Sequence, residues 1–274
     1  MMKAALSTQL FKTHSIDEVL AEIKNAVRKK PDNADLRAQL FQVLALKGDW
    51  QRAVDQLKLS AEMNPQAQPV AMIYINAMNA ESERAKVFAG EAMPAVFGTP
   101  PEWFALLTQA LQEDNPDQAA AFRQQALDMA PMIGGVLTRH DNSEQTQAFE
   151  WLCDGDGRLG PLLEFMSNGR YGWIPFEAIA SLRLIQAQGL SDLLWVQTEV
   201  LMLDGRSHVG LVPARYPAQL DYASQTDALN LVARTEWIAL SETIYQGLGQ
   251  KMLMSDSNEY GLLEIAEIRF DAGN

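Results

Sequence analysis

Apolar positions in the first 130 residues recur at helical spacing. Ile16, Val19, Leu20, Ile23 and Val27 return every three or four residues and so share one helix face. Ser15 and Glu18 form the reciprocal pair that caps a helix start, and Pro31 stops the run. Leu36, Leu40, Val43 and Leu44 make a second stripe, closed by Gly48 just past the helix end, where a left-handed backbone favours glycine. Ala53, Val54, Leu57 and Ala61 make a third, ending at Asn64-Pro65. Further helices are predicted over 69–80, 82–93, 101–113 and 116–130. The prolines and glycines between them leave the short connections that antiparallel helix hairpins require.

Pro31 and Pro65 stand 34 residues apart, the period of a tetratricopeptide repeat. The register from Asp35 to Pro65 fits that repeat. Leu40 and Leu44 take the large positions of its first helix, and Gly48-Asp49-Trp50 the turn. Ala53 and Ser60 are the small residues where the two helices approach. The preceding segment keeps Ile23, Ala26 and Pro31 but carries Val19 at the small position, so it reads as a degenerate first repeat. Trp103, Leu106, Ala119, Ala126 and Pro131 restore the pattern later, with Arg123 breaking one apolar slot, while 69–93 matches poorly. A helix-hairpin solenoid is expected over 1–130, against the alternative of an irregular bundle with prolines at the same spacing. In the second repeat, the concave face of such a solenoid would display Asp35, Ala38, Gln39, Gln42 and Leu46, and concave faces commonly receive a peptide or helix.

Residues 131–146 mix proline, Gly-Gly and polar residues without a period, and are expected to be a linker. Beyond them the period changes. Strands are predicted over 148–153, 162–166, 172–176, 193–203, 207–212, 236–241, 250–255 and 262–270, with helices over 176–187 and 224–233. Asp204-Gly205 between two strand-like runs is the strongest hairpin signal in the chain. The expected fold class is therefore α+β in two domains. A tetratricopeptide-like helical solenoid, 1–130, would be followed by a mainly antiparallel β domain with one or two helices, 147–274.

Hydrophobic residues at 47% and charged residues at 21% supply a core and exclude wholesale disorder. The net charge of −13 argues against a nucleic-acid backbone or an anionic membrane surface as partner, and favours basic or amphipathic protein segments. The charge is uneven, −4 over residues 1–145 and −9 over 146–274. The first twenty residues hold no apolar run of signal-peptide length, and a single cysteine, Cys153, forms no intramolecular disulfide; a cytoplasmic protein is expected.

Candidate chemistry is sparse. Gly155-Asp156-Gly157-Arg158-Leu159-Gly160 spells a dinucleotide fingerprint, but no long helix follows to hold a pyrophosphate. The same residues start like a calcium loop, yet Arg158 and Phe165 stand where oxygen ligands belong. A solvated turn is the expectation. His14, His140 and His208 lack a second ligand at helical spacing, no nucleophile elbow occurs, and Cys153 reads as a small buried residue. No catalytic residue, metal site or cofactor is predicted.

Three C-terminal motifs carry a family resemblance: Val212-Pro213-Ala214-Arg215-Tyr216, Ala233-Arg234-Thr235-Glu236-Trp237, and Gly247-Leu248-Gly249-Gln250-Lys251-Met252-Leu253. In order and spacing they resemble the ImpE family, also called TagJ or SciE-type proteins, accessory components of bacterial type VI secretion. The resemblance covers essentially the whole chain, with one departure: Trp195-Val196-Gln197 stands where Arg-Pro is expected after the tryptophan. It implies a cytoplasmic, non-enzymatic adaptor that binds a helix of the small contractile-sheath subunit and assists sheath assembly or recycling. The expected partner-binding residues are Gln39, Gln42 and Leu46 on the solenoid, with Tyr216, Arg234 and Trp237 from the motifs. As structural readings, Trp237 would be core, Gly247 and Gly249 turn formers and Arg234 an ion-pair partner. A general peptide-binding scaffold or chaperone, and a hydrolase or transferase built around Cys153 or a histidine, are the competing functions.

Overall fold

The computed structural model describes residues 6–218 and 221–271, with residues 143 and 144 described by backbone alone; the outermost residues of the two expected domains, 1–5 and 272–274, lie outside it. Six helices come first: α1 (Ile16–Lys29), α2 (Ala34–Leu46), α3 (Trp50–Met63), α4 (Gln68–Phe88), α5 (Glu102–Gln112) and α6 (Pro116–Met129). Their ends follow local chemistry. The Glu18 amide donates to Ser15 Oγ at 3.2 Å while the Ser15 amide donates to Glu18 Oε2 at 2.8 Å, completing the reciprocal cap. Gly48 at φ +70° closes α2, its amide bonding the Ala45 carbonyl and the Asp49 amide the Leu44 carbonyl, the double bond of a left-handed helix stop. The expected small positions hold: Ala53 is fully buried, and Ser60 Oγ donates to the Ala34 carbonyl at 2.8 Å, which fixes the close approach of α2 and α3.

α1 to α3 pack in sequence, and α5 pairs with α6. Between them the stack departs from a simple run of hairpins. The two helices expected over 69–80 and 82–93 are one, α4, which lies on the sheet. Its charged run Glu81-Ser82-Glu83-Arg84 reads as a boundary because charges usually mark solvent; here Glu81 and Arg84 are buried.

The β-rich half contains a nine-stranded sheet in the order β1-β6-β5-β9-β8-β7-β14-β2-β3. These strands are β1 (Ala95–Val96), β2 (Gly135–Arg139), β3 (Asn142–Phe149), β5 (Leu162–Ser167), β6 (Arg170–Pro175), β7 (Ile179–Leu184), β8 (Trp195–Met202), β9 (Ser207–Pro213) and β14 (Ile265–Phe270). A three-stranded sheet joins β4 (Leu152–Asp154), β12 (Met252–Ser255) and β13 (Glu259–Gly261), and β10 (Thr235–Ala239) pairs with β11 (Tyr245–Gly249). Short helices α7 (Leu190–Leu194) and α8 (Asp227–Asn230) complete the described fold. All pairings are antiparallel except β1 with β6. The fold is thus α+β, N-terminal helices against a C-terminal sheet rich in antiparallel pairs.

Two expectations are corrected. Residues 131–146 are not a bare linker: β2 and the start of β3 form a hairpin there, whose polar strand β3 is a sheet edge and so shows little apolar alternation. Residues 176–187 are not a helix. Phe176, Ile179 and Leu182 have helical spacing, but after one 3₁₀ turn the chain enters β7, held by β8 on one side and β14 on the other.

The sheet has a core on each face. On one, Leu163, Phe165, Ile174, Val196, Val200 and Val212 pack with Leu253 and Tyr260 of the small sheet. On the other, Leu162, Met166, Tyr171, Trp173, Trp195 and Leu211 join the helices in one continuous core.

Candidate functional site

The helix-facing core contains a buried ion network. Arg84 on α4 donates from Nε to Glu164 Oε1 at 2.6 Å and from Nη2 to Glu164 Oε2 at 2.9 Å, a bidentate pair in which neither side chain is more than 1% exposed. Lys251 Nζ lies 2.7 Å from Glu164 Oε2 and 2.6 Å from Asp154 Oδ2. Tyr171 donates to Glu164 at 2.6 Å, Trp195 Nε1 to Glu81 at 2.9 Å, and Tyr216 to Asp154 at 2.8 Å. Burial alone would raise the Glu164 carboxyl, but Arg84 and Lys251 override it and hold it well below the usual carboxylate range. At Asp154 burial wins: with Asp156 adding to it and Lys251 opposing, the carboxyl is pushed up to about 6. Arg84, Glu164, Lys251 and Asp154 satisfy one another across eighty or more residues of sequence, so their work is to hold α4 on β5 and on the segment that leads into β12 rather than to meet a substrate.

Among the described residues, Arg215, from the first family motif, forms no ion pair with a carboxylate. It reaches the end of α2, donating to the carbonyls of Leu46 at 2.7 Å and Ala45 at 3.0 Å, with its guanidinium 3.6 Å from the Tyr222 ring centre. It caps the carbonyls left open at the helix terminus.

The glycine loop is buried rather than solvated. Asp156 is fully buried, accepts the amide of Gly247 at 3.1 Å and pairs with Arg158, whose guanidinium lies 4.6 Å from the Phe88 ring centre. Cys153 is in β4 beside Asp154, and burial together with that carboxylate pushes its thiol up to about 12, far from a working thiolate. His14 contacts Thr13, His208 meets Phe97 edge-on, and the His140 amide bonds the Glu264 carbonyl, three separate settings. Among the described residues no cluster of three or more His, Cys, Asp or Glu could hold a metal.

Most of the expected partner-binding residues are not available at the surface. Gln42 and Leu46 are buried and Gln39 is half-buried, because α2 is enclosed on nearly all sides over its C-terminal half; Gln42 Nε2 bonds the Ala38 carbonyl at 2.8 Å, and Ala38 is buried too. The face read as concave is therefore largely interior, with Asp35 exposed at its start. Tyr216 is fully buried, its ring so close to Gly247 that an added Cβ would lie 2.2 Å from it. Arg234 is exposed and paired with Glu236. Trp237, expected in the core, is 36% exposed and covers the Tyr216 ring at 5.8 Å between centroids.

The surface feature that sequence reasoning missed lies where the helix layer stops. Along β8 the residues Gln197, Glu199 and Leu201 point away from the second core, and Val209 of β9 stands opposite Glu199. Val209 is 73% exposed, and Val70, Met72 and Ile73 on α4 are exposed as well. Between them runs a trough of about 180 Å³, walled by Ile73 and Ala77 and floored by Met166, Gln197, Val209 and Leu211. Its signal was legible: the Asp204-Gly205 turn fixes the register, and the partner of a charged strand position faces solvent.

Comparison with known proteins agrees with this architecture. The family model described as ImpE protein matches residues 146–269. A Pseudomonas aeruginosa protein named "Type VI secretion system accessory component TagJ" is 36% identical over 271 residues, spanning 98% of this chain and 92% of that one. A crystal structure of a Vibrio parahaemolyticus protein superposes with a TM-score of 0.80 at 24% identity, over 93% of this chain and 94% of that one, and so shares the fold. With that identity along nearly its full length, the chain belongs to the ImpE/TagJ family of type VI secretion accessory components.

Proposed function

We propose that this protein is a cytoplasmic, non-enzymatic adaptor of a type VI secretion system, which binds an amphipathic helix of the small contractile-sheath subunit and assists sheath assembly or recycling. The trough beside α4 carries this reading. A sheet face half covered by helices leaves a trough of about 180 Å³ that has room for anchoring side chains of a docking helix, with apolar Ile73, Val209 and Leu211 along it in a protein of net charge −13. α1 to α3 serve as a tetratricopeptide-like module that buttresses α4. The half-buried Cys153 thiol, its pKa pushed up, and the mutually satisfied ions speak against a hydrolase or transferase, since neither supplies an activated nucleophile.

The test is a calorimetric titration of the full chain with the N-terminal helical peptides of both sheath subunits. Binding of the small-subunit peptide with a Kd below about 50 μM, lost in Val209→Asp, is expected. Absence of binding at that concentration, or equal binding by Val209→Asp, overturns the proposal.

A further inference from the structure

The nine-stranded sheet ends in β1 on one side and β3 on the other, and the two edges are built differently. β1 is closed to a further strand: it has two residues, Pro94 precedes it, and Pro100 and Pro101 follow the short loop that leaves it. β3 has eight residues without proline or lysine, and among the described residues nothing pairs with its outer side. Its pairing with β2 is irregular only between Thr138 and Arg139, at the turn end of the hairpin, so residues 146–149 lie in regular register.

The register fixes which way β3 turns its backbone. The Asp271 amide bonds the Gly134 carbonyl, on the side of β14. Residues of an antiparallel strand bond alternately to one side and the other, so Val136 and Thr138 also face β14, while Gly135 and Leu137 face β3. The partners of those two are Phe149 and Gln147, which therefore face β2. Thr146 and Ala148 are left with amides and carbonyls pointing out of the sheet, and both residues are exposed. From Gln145 to Phe149 the edge carries no charge. In a chain of net charge −13 most approaches of a second copy meet repulsion, and an uncharged edge with unpaired backbone is where two copies meet least of it.

We infer that β3 pairs with β3 of a second copy of this chain, antiparallel about a two-fold axis at Thr146, and so joins two nine-stranded sheets into one. An antiparallel pair of identical strands is symmetric, so the same uncharged edge serves both copies and the contact closes on itself as a dimer. An axis at Thr146 sets Thr146 opposite its image and Ala148 opposite residue 144, all within β3, and forms about six backbone hydrogen bonds. An axis at Ala148 would carry the pairing past Phe149 into the bend at Glu150. Because the axis is perpendicular to the sheet, the dimer presents two troughs on one face, on the order of 50 Å apart, and a repeating partner of the kind proposed above is held twice. That consequence rests on the proposed function; the dimer itself does not.

The experiment is sedimentation equilibrium of the full chain, joined to cysteine cross-linking. The parent is expected to dimerise with a Kd below about 100 μM. Thr146→Pro removes an N–H that the monomer leaves unpaired, so it should keep the parent's circular dichroism and weaken dimerisation at least about tenfold. Thr146→Lys, which sets like charges opposite one another at an exposed position, should weaken it as much, and decides alone if the proline variant does not fold. In a Cys153→Ser background under mild oxidation, Thr146→Cys should give a covalent dimer and Ala148→Cys should not, because Ala148 is out of register with its image and beyond disulfide reach. Val209→Asp should leave the dimer intact, so that loss of peptide binding and loss of dimerisation are read separately. A parent monomeric at about 500 μM, a dimer unweakened by Thr146→Lys, or cross-linking at 148 rather than 146 overturns the inference.

Discussion

The two faces of α4 each depart from the usual pattern at a few positions. Its buried face is mostly apolar, with Ala71, Tyr74, Ile75, Met78 and Val87, but also holds the ion-paired Glu81 and Arg84; toward solvent it presents Val70, Met72 and Ile73. A soluble helix ordinarily keeps its charges outside and its large apolar residues inside. Buried ions contribute little net stability but tolerate only one geometry, because each partner must meet the others at hydrogen-bond distance. Exposed apolar residues cost little in the free protein and gain when covered. The inner face therefore fixes where the helix lies, and the outer face is the one to which the proposed partner would bind.

Substitution at the inner face should have the largest effect. Glu164→Gln removes the carboxylate shared by Arg84, Lys251 and Tyr171, leaving two buried cations short of charge, and urea unfolding should show a loss of about 3–5 kcal/mol. A variant as stable as the parent would show that the network is dispensable and dissolve the contrast. Gly247→Ala drives a methyl into the Tyr216 ring and should cost about 1–3 kcal/mol, measured the same way.

Stability against pH separates the two carboxylates of the network. Asp154, raised on folding, contributes stability that is complete at low pH and is lost as pH rises through about 6. Glu164, lowered on folding, contributes stability present above its unfolded value of 4.5 and lost as pH falls below it. Lowering pH from about 7 to about 5 should therefore stabilise the protein by about 1 kcal/mol, and further acidification should reverse the gain. Asp154→Asn should flatten the first limb alone; a parent curve with no rise toward pH 5 would refute the assignment. The smallest stability effect belongs to the outer face. Val209→Asp should change unfolding free energy by less than about 0.5 kcal/mol while removing partner binding, and a large destabilisation would mean that Val209 is structural.

Much of the architecture is legible in local sequence. The Ser15–Glu18 cap, the Gly48 stop, the Ala53 and Ser60 contacts and the Asp204-Gly205 hairpin involve residues near one another in the chain, and the physics that selects them is equally local. The site was less legible for two reasons. Gln42, Leu46 and Tyr216 occupy positions whose periodicity is clear, but periodicity assigns a face without saying what covers it. The helix-like spacing of Phe176, Ile179 and Leu182 likewise gave way to pairing with β8 and β14, which no local pattern specifies.

By itself, the sequence determined α1 to α3, α5 and α6 with their ends, the change of period after residue 130, the Asp204-Gly205 hairpin and, through its C-terminal motifs, the family. Only the tertiary structure decided which charges are interior and which apolar side chains are exposed. Arg84, Glu164 and Lys251 each look like surface residues in isolation, and they become a core because partners eighty or more positions apart arrive at hydrogen-bond distance together. Desolvating a charge is favourable only when its counter-charge is already in place, and that is a property of the assembled fold.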